Sequence, residues 1–162
     1  MIARCRRRGR DNEQVTQPRT EISWASSPAV RKSMRGNRRR DTAPEMAVRR
    51  LVHAAGLRYR VDFAPLPEMR RRKADLVFTR AKVAVFIDGC FWHGCPEHRQ
   101  RPKTNAKFWA DKIARNQARD RETDDALRVA GWAVLRFWEH HEIHATANSI
   151  IEAVARQSST GR

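Results

Sequence analysis

The chain has 162 residues, with 34 Lys and Arg against 18 Asp and Glu, for a formal net charge of +16. That length suits one domain with a tail, burying roughly two-thirds of the unfolded surface. The charge calls for a polyanionic partner, nucleic acid foremost. No apolar run nears the roughly 20 residues of a spanning helix. The basic N-terminus also lacks the apolar stretch of a signal peptide, so an intracellular protein with no membrane contact is expected.

Residues 1–27 show no periodicity and are rich in Arg, Ser, Thr, Gln and Pro. Twelve of the basic residues lie in positions 1–40 against three acids, which places +9 of the +16 in the first quarter of the chain. A disordered basic tail is predicted over 1–27, followed by a single domain over 28–158. Cys5 lies in the tail, apart from Cys90 and Cys95. Met34 stands alone among cations, the composition of an arm that could enter a nucleic-acid groove.

Asp41-Thr42-Ala43-Pro44-Glu45 reads as a helix start, with Thr42 as cap, Pro44 in the first turn and Glu45 completing a capping box. Met46, Leu51, Val52 and Ala55 give that helix an apolar face, and Gly56 ends it. Residues 57–61 (LRYRV) alternate as a strand. Pro65 and Pro67 mark a loop. Residues 74–78 and 83–88 read as two strands joined by a tight connection, and so as an antiparallel hairpin. A long helix is expected from Thr104, its cap, to about Ala130, with Phe108, Trp109, Ile113 and Leu127 as core contacts and Gly131 as its stop. A fourth strand follows over 132–138 and a last helix over about 142–156. A three-strand meander followed by a helical crossover predicts an α/β fold: a mixed β-sheet flanked by helices on both faces.

Residues 82–98 (KVAVFIDGCFWHGCPEH) concentrate the chemistry. A buried strand ends on Asp88 and delivers two cysteines, two histidines and a Phe-Trp pair to one loop. The hairpin register sets residue 75 opposite about 86, so Asp75 and the Ile87-Asp88 end share one sheet edge. An acid beside an exposed carbonyl can hold Mg²⁺ and leave room for a phosphate; a strand-end turn would also explain Asp75. His93 has the pKa range of a general acid or base, and equally the chemistry of a zinc ligand. Cys90, Cys95 and His98 have the spacing of metal ligands in a reducing compartment. His140, next to His141, is the natural fourth donor of a saturated structural Zn²⁺ site. Phe91 and Trp92, flanked by ligands, could unstack bases.

DGCFWHGCPEH, followed by Thr104, Phe108-Trp109, Lys112, Asn116, Arg119-Asp120, Gly131-Trp132 and Trp138-Glu139-His140, closely resembles the Vsr family of very-short-patch-repair DNA mismatch endonucleases. Met34-Arg35 and residues 41–45 match it too, and the likeness covers about 28–145. The resemblance implies a restriction-endonuclease-like fold and Mg²⁺-dependent nicking of double-stranded DNA 5′ to the thymine of a T:G mismatch left by deamination of 5-methylcytosine. It implies Asp75 as the Mg²⁺ ligand aided by the Ile87 carbonyl, and His93 as general base or acid oriented by Asp120. Glu45 would assist near the metal, and Phe91, Trp92 and Met34 would form a wedge. Zn²⁺ would sit on Cys90, Cys95, His98 and His140. A monomer in the bacterial cytoplasm, associated with the nucleoid and with mismatch-repair proteins as further partners, is expected on the same ground.

The chain departs from the family pattern in several places. Asp88 stands where a histidine is usual, which leaves its part in the catalytic set open between metal ligand and other roles. Gly89-Cys90 replaces the lysine of the common restriction-enzyme motif. The apolar wedge residue expected near Asn37 is missing. Among the zinc ligands a Cys stands where a His is usual, and His98 and His140 stand for Cys. Two other readings compete. A non-catalytic zinc-stabilised DNA-binding module explains charge, zinc and wedge but not the hairpin acid with its histidine. A restriction-type nuclease cutting both strands would ordinarily need a dimer.

Overall fold

The computed structural model describes residues 40–98 and 104–160. The tail over 1–27 and Met34 lie outside the described residues. The elements are α1 (Ala43–Ala54), β1 (Arg60–Phe63), a 3-10 turn (Pro67–Met69), β2 (Ala74–Phe78), β3 (Val83–Asp88), α2 (Cys90–His93), α3 (Ala106–Val129), β4 (Ala133–Trp138) and α4 (Ile143–Thr160). The four strands form one sheet in the order β1-β2-β3-β4. Its first two pairings are antiparallel and the third is parallel. The chain is therefore α/β with a mixed sheet, as expected. No helix among the described residues is long and apolar enough to cross a membrane.

Alternation along the strands divides the core between the two faces. One face gathers Leu76, Phe78, Val83 and Val85 with Val48 and Val52 of α1 and Ala147, Ile150 and Val154 of α4. The other gathers Val77, Ala84 and Phe86 with Leu127 of α3. Leu76, Leu127 and Ile150 are fully buried, each worth about 1.5–3 kcal/mol of transfer free energy. The pairing Leu76↔Val85 carries on to Asp75 opposite Phe86, the register expected. β3 and β4 run in step from Val83↔Ala133 to Asp88↔Trp138. Both strands thus end side by side, and whatever follows them must meet.

Several local expectations are corrected. β1 lies at Arg60–Phe63, not over 57–61, because its partner β2 has five residues and pairs from Val77 back to Ala74. Leu57 and Tyr59 still pack against the core. Thr42 makes no side-chain cap. Its hydroxyl donates to Glu45 Oε1 at 3.0 Å, and Glu45 Oε2 accepts the Asp41 N–H at 2.9 Å. The reason is Arg49, one turn on, which draws the Glu45 carboxylate inward at 3.0 Å. Asn105, at a left-handed φ of 55°, takes the N-cap position of α3 in place of Thr104, with no side-chain cap bond. Phe108 is 37% exposed and not a core contact, whereas Trp109 is buried. Gly131, at φ 77°, turns the chain after α3 as expected.

The central segment, expected as a loop, forms one helical turn over Cys90–His93. Gly94 ends it at φ 69°, and the Cys95 N–H donates to the Cys90 carbonyl at 2.9 Å. A Cβ on Gly94 would come within 2.8 Å of Ile113 Cγ2 and 2.9 Å of Gln117 Nε2. A Cβ on Gly56, at φ 84°, would meet nothing within 4 Å. Gly56→Ala should therefore lose only the left-handed backbone term, about 1–2 kcal/mol. Gly94→Ala adds a clash against α3 and should lower the thermal midpoint by several degrees more, at about 2–4 °C per kcal/mol. Equal midpoints for the two variants would show that α2 is not seated on α3.

Candidate functional site

The end of the β2–β3 hairpin gathers acids. Asp75 Oδ2 accepts the Ile87 N–H at 2.7 Å, so Ile87 is fixed beside that carboxylate. Burial pushes the Asp75 carboxyl up to about 7; the Ile87 hydrogen bond opposes this, and the charges of Glu45 and Asp88 add to it. Glu45 is 4% exposed. Its carboxylate is fully engaged by the Asp41 N–H, the Thr42 hydroxyl and Arg49. Arg49 also pairs with Asp41. A half-buried acid with a raised proton affinity, set among other acids, is a natural place for a divalent cation.

His93, at the end of α2, turns Nδ1 toward α3. Nδ1 lies 2.7 Å from Asp120 Oδ2 and 3.6 Å from Asp88 Oδ1. Burial alone would lower the imidazole pKa, but the Asp120 hydrogen bond and the charges of Asp88 and Asp120 outweigh it and raise it. With Nδ1 engaged, Nε2 is the nitrogen left to exchange a proton. Behind this couple sits Arg136 of β4. Its Nη1 donates to both Asp88 oxygens at 2.7 Å, and its Nε to both Asp124 oxygens at 3.1 Å. Its Nη2 lies 3.5 Å from Asp120 Oδ1.

The in-step ends of β3 and β4 bring the cysteines and histidines together. Donor atoms of Cys90, Cys95, His98 and His140 all lie within 4.8 Å of one another. His140 Nδ1 is 3.0 Å from Cys90 Sγ and 3.9 Å from Cys95 Sγ. His98 Nδ1 is 3.8 Å from Cys90 Sγ and 3.9 Å from Cys95 Sγ. Four such ligands about 2.0–2.3 Å from a tetrahedral ion would stand roughly 3.3–3.8 Å apart. The quartet therefore fits a metal of that kind. Desolvation, then the adjacent Cys95, pushes the Cys90 thiol up to about 12; a thiolate here needs a cation beside it. His140 Nε2 faces the Glu97 carboxylate at 3.4 Å. Glu139 accepts the Cys90 N–H at 2.7 Å and donates its own N–H to Asp88 at 3.0 Å.

Phe91 and Trp92 are half-buried and stay out of the sheet core. They pack edge-on with each other at 5.1 Å and with Trp109 at 5.0 and 5.9 Å. Lys112 Nζ lies 5.2 Å from the Trp92 and Trp109 rings. Asn116 and Gln117 donate to the Trp92 and His93 carbonyls at 2.9 and 3.0 Å, fastening α2 to α3.

Thus the structure brings Asp75, Ile87, Glu45, Asp88, His93 and Asp120 to one end of the sheet, with the Cys/His quartet beside them. Sequence reasoning missed Arg136, Asp124 and Glu139. A signal was available for the first two. An arginine inside the apolar run AVLRFW needs buried acids, and Asp120 and Asp124 share one helix face.

The state of Asp75 can be tested by stability. The folded chain keeps its proton where the unfolded chain, at the ordinary 3.8, has lost it. Folded stability should therefore fall as pH rises from about 4 to about 7 and level off above. Asp75→Asn keeps the acceptor for Ile87 and removes the charge. In magnesium-free buffer at about pH 8 it should be more stable than the parent by on the order of 2 kcal/mol, discounted for partial exposure. The gap should close near pH 4. A destabilised variant in urea unfolding at pH 8 would contradict a carboxylate of raised proton affinity at this position.

The chain is similar to known proteins. A sequence model of the family described as DNA mismatch endonuclease Vsr matches residues 26–99. The chain is 46% identical over 124 residues to the type II nicking enzyme V.NaeI of Lentzea aerocolonigenes, covering 76% of this chain and 75% of that one. It is 42% identical over 118 residues to the type II nicking enzyme V.NmeDIP of Neisseria meningitidis serogroup C, covering 72% and 77%. It is 38% identical over 112 residues to the DNA mismatch endonuclease Vsr of Escherichia coli K12, covering 67% of each. On this kinship the chain belongs to the Vsr family, and it is a DNA endonuclease, a hydrolase of phosphodiester bonds.

Proposed function

We propose that this chain nicks one strand of double-stranded DNA 5′ to the thymine of a T:G mismatch, by Mg²⁺-dependent hydrolysis, to start very short patch repair. The domain over 28–158 is read as restriction-endonuclease-like, with 1–27 as a basic tail. The observation that carries the reading is the half-buried Asp75, crowded by other acids and accepting the Ile87 N–H at 2.7 Å, at the sheet end that also bears the His93–Asp120 couple. A binding module has no use for that costly set. The nicking activity named for relatives up to 46% identical supports cleavage of one strand, as one site per monomer would give. The mismatch named for the relative from Escherichia coli supports the T:G target.

Asp75 and the Ile87 carbonyl would hold Mg²⁺, with Glu45, locked by Arg49, close behind. Bound Mg²⁺ supplies charge stabilisation at the phosphate and a more acidic water. His93 would move a proton at Nε2 while Asp120 fixes Nδ1. Phe91 and Trp92, with Met34 from outside the described residues, would push into the base stack beside the mismatch. The quartet Cys90, Cys95, His98 and His140 would hold structural Zn²⁺ and stiffen the turn bearing the wedge. Such a protein acts on the bacterial nucleoid in the cytoplasm, and mismatch-repair proteins are its natural neighbours.

Asp75→Ala should abolish Mg²⁺-dependent nicking of a T:G duplex while the Kd for that duplex stays within a few-fold. Retained nicking would sink the assignment, and matched DNA cut at the same rate would sink the mismatch reading. Elemental analysis of the purified protein should give about one zinc per chain. Cys95→Ser should lower both that content and the thermal midpoint; a zinc content near zero in the parent would remove the structural site.

A further inference from the structure

We infer that Arg136 is a positioning residue for His93, and that Asp88 is its anchor on β3 rather than a metal ligand. The inference rests on the reading of His93 as the proton-moving group. Four elements meet at this one guanidinium. Asp88 ends β3, Asp120 and Asp124 lie on α3, His93 ends α2, and Arg136 itself lies on β4. Arg136 touches both carboxylates that face His93 Nδ1: Asp88 at 2.7 Å and Asp120 at 3.5 Å. Asp120 in turn holds Nδ1 at 2.7 Å.

Geometry makes the arginine hard to replace. Its edges are divided among acids, with Nη1 on Asp88, Nε on Asp124 and Nη2 toward Asp120. Its face lies 4.4 Å from the centroid of the Phe86 ring. A planar fork meets all of these at once, whereas an ammonium is a point charge with none of that directionality. Without the fork, Asp88 and Asp120 would repel each other across His93, and Nδ1 would lose its single defined acceptor. Asp88 also spends both oxygens on Arg136. That leaves Asp75 as the hairpin carboxylate without a guanidinium among the described residues, and so as the acid for the catalytic cation.

The test uses the full zinc-loaded chain carrying Arg136→Lys. Binding of a T:G duplex and zinc content should stay within about twofold of the parent, while the single-turnover nicking rate falls at least about tenfold. Nitrogen NMR of the His93 ring should show one tautomer, protonated at Nδ1, in the parent and a mixture in the variant. In a His93→Ala background Arg136→Lys should change the residual rate by less than about twofold, because residues acting as a unit are not additive. If the lysine variant does not fold, Arg136→Gln with Asp124→Asn removes cation and acid together and is read in the same way. A folded variant that nicks at the parental rate with one His93 tautomer would overturn the inference, as would an equal loss in the His93→Ala background. Parental nicking by His93→Ala alone would instead overturn the reading of His93.

Discussion

The in-step parallel pairing of β3 and β4 is the constraint on which the site depends. Asp88 opposite Trp138 closes both strands at one level. The segment after β3 and the segment after β4 therefore emerge together, and Cys90 finds His140 across 50 positions of sequence. The same register sets Phe86 beside Arg136. Arg136 can then reach the end of β3 and the inner face of α3 at once. A slip of one residue would turn Arg136 to the opposite face of the sheet. It would also separate the two halves of the Cys/His quartet. The Cys/His quartet and the histidine couple are thus set by a single hydrogen-bonding ladder.

Around this ladder two arginines settle the acids. Arg49 takes Glu45 and Asp41, and Arg136 takes Asp88, Asp120 and Asp124. Both guanidiniums are largely buried, where an unpaired charge would be costly. Their effect is selective. Asp41, Glu45, Asp88, Asp120 and Asp124 each meet a guanidinium, whereas Asp75, among the described residues, has the Ile87 N–H and no ion pair. Its elevated proton affinity comes from burial first and from its acidic neighbours second, so a bound cation would relieve a strain that folding builds in.

Much of this was legible in the sequence, for physical reasons. Asp75 and Ile87 could be placed together because a tight hairpin leaves little freedom of register. The Cys/His quartet could be named because few residue types ligate metal and the short spacing limits the choice. The limits of β1 could not, since they depend on how many residues β2 offers. The burial of Arg49 could not be read either, because an i,i+4 pair with Glu45 has the same spacing on a surface as in a core. Arg136 was passed over because its partners lie on a helix earlier in the chain, and only the crossover shows which of that helix's many charges face inward. The helical turn at Cys90–His93 was masked by the chemistry of its side chains.

Arg136 has one more consequence. β4 is last in the sheet, so among the described residues its outer edge is unpaired. An apolar run such as AVLRFW with a free ladder is the kind of segment that recruits a second copy edge to edge. An inward-pointing guanidinium tolerates one arrangement only, the one with three acids in place. A copy added out of register, or before α3 has docked, would bury that charge alone. Out-of-register addition at this edge would thus cost more than a lost ladder, because it would strand the Arg136 charge.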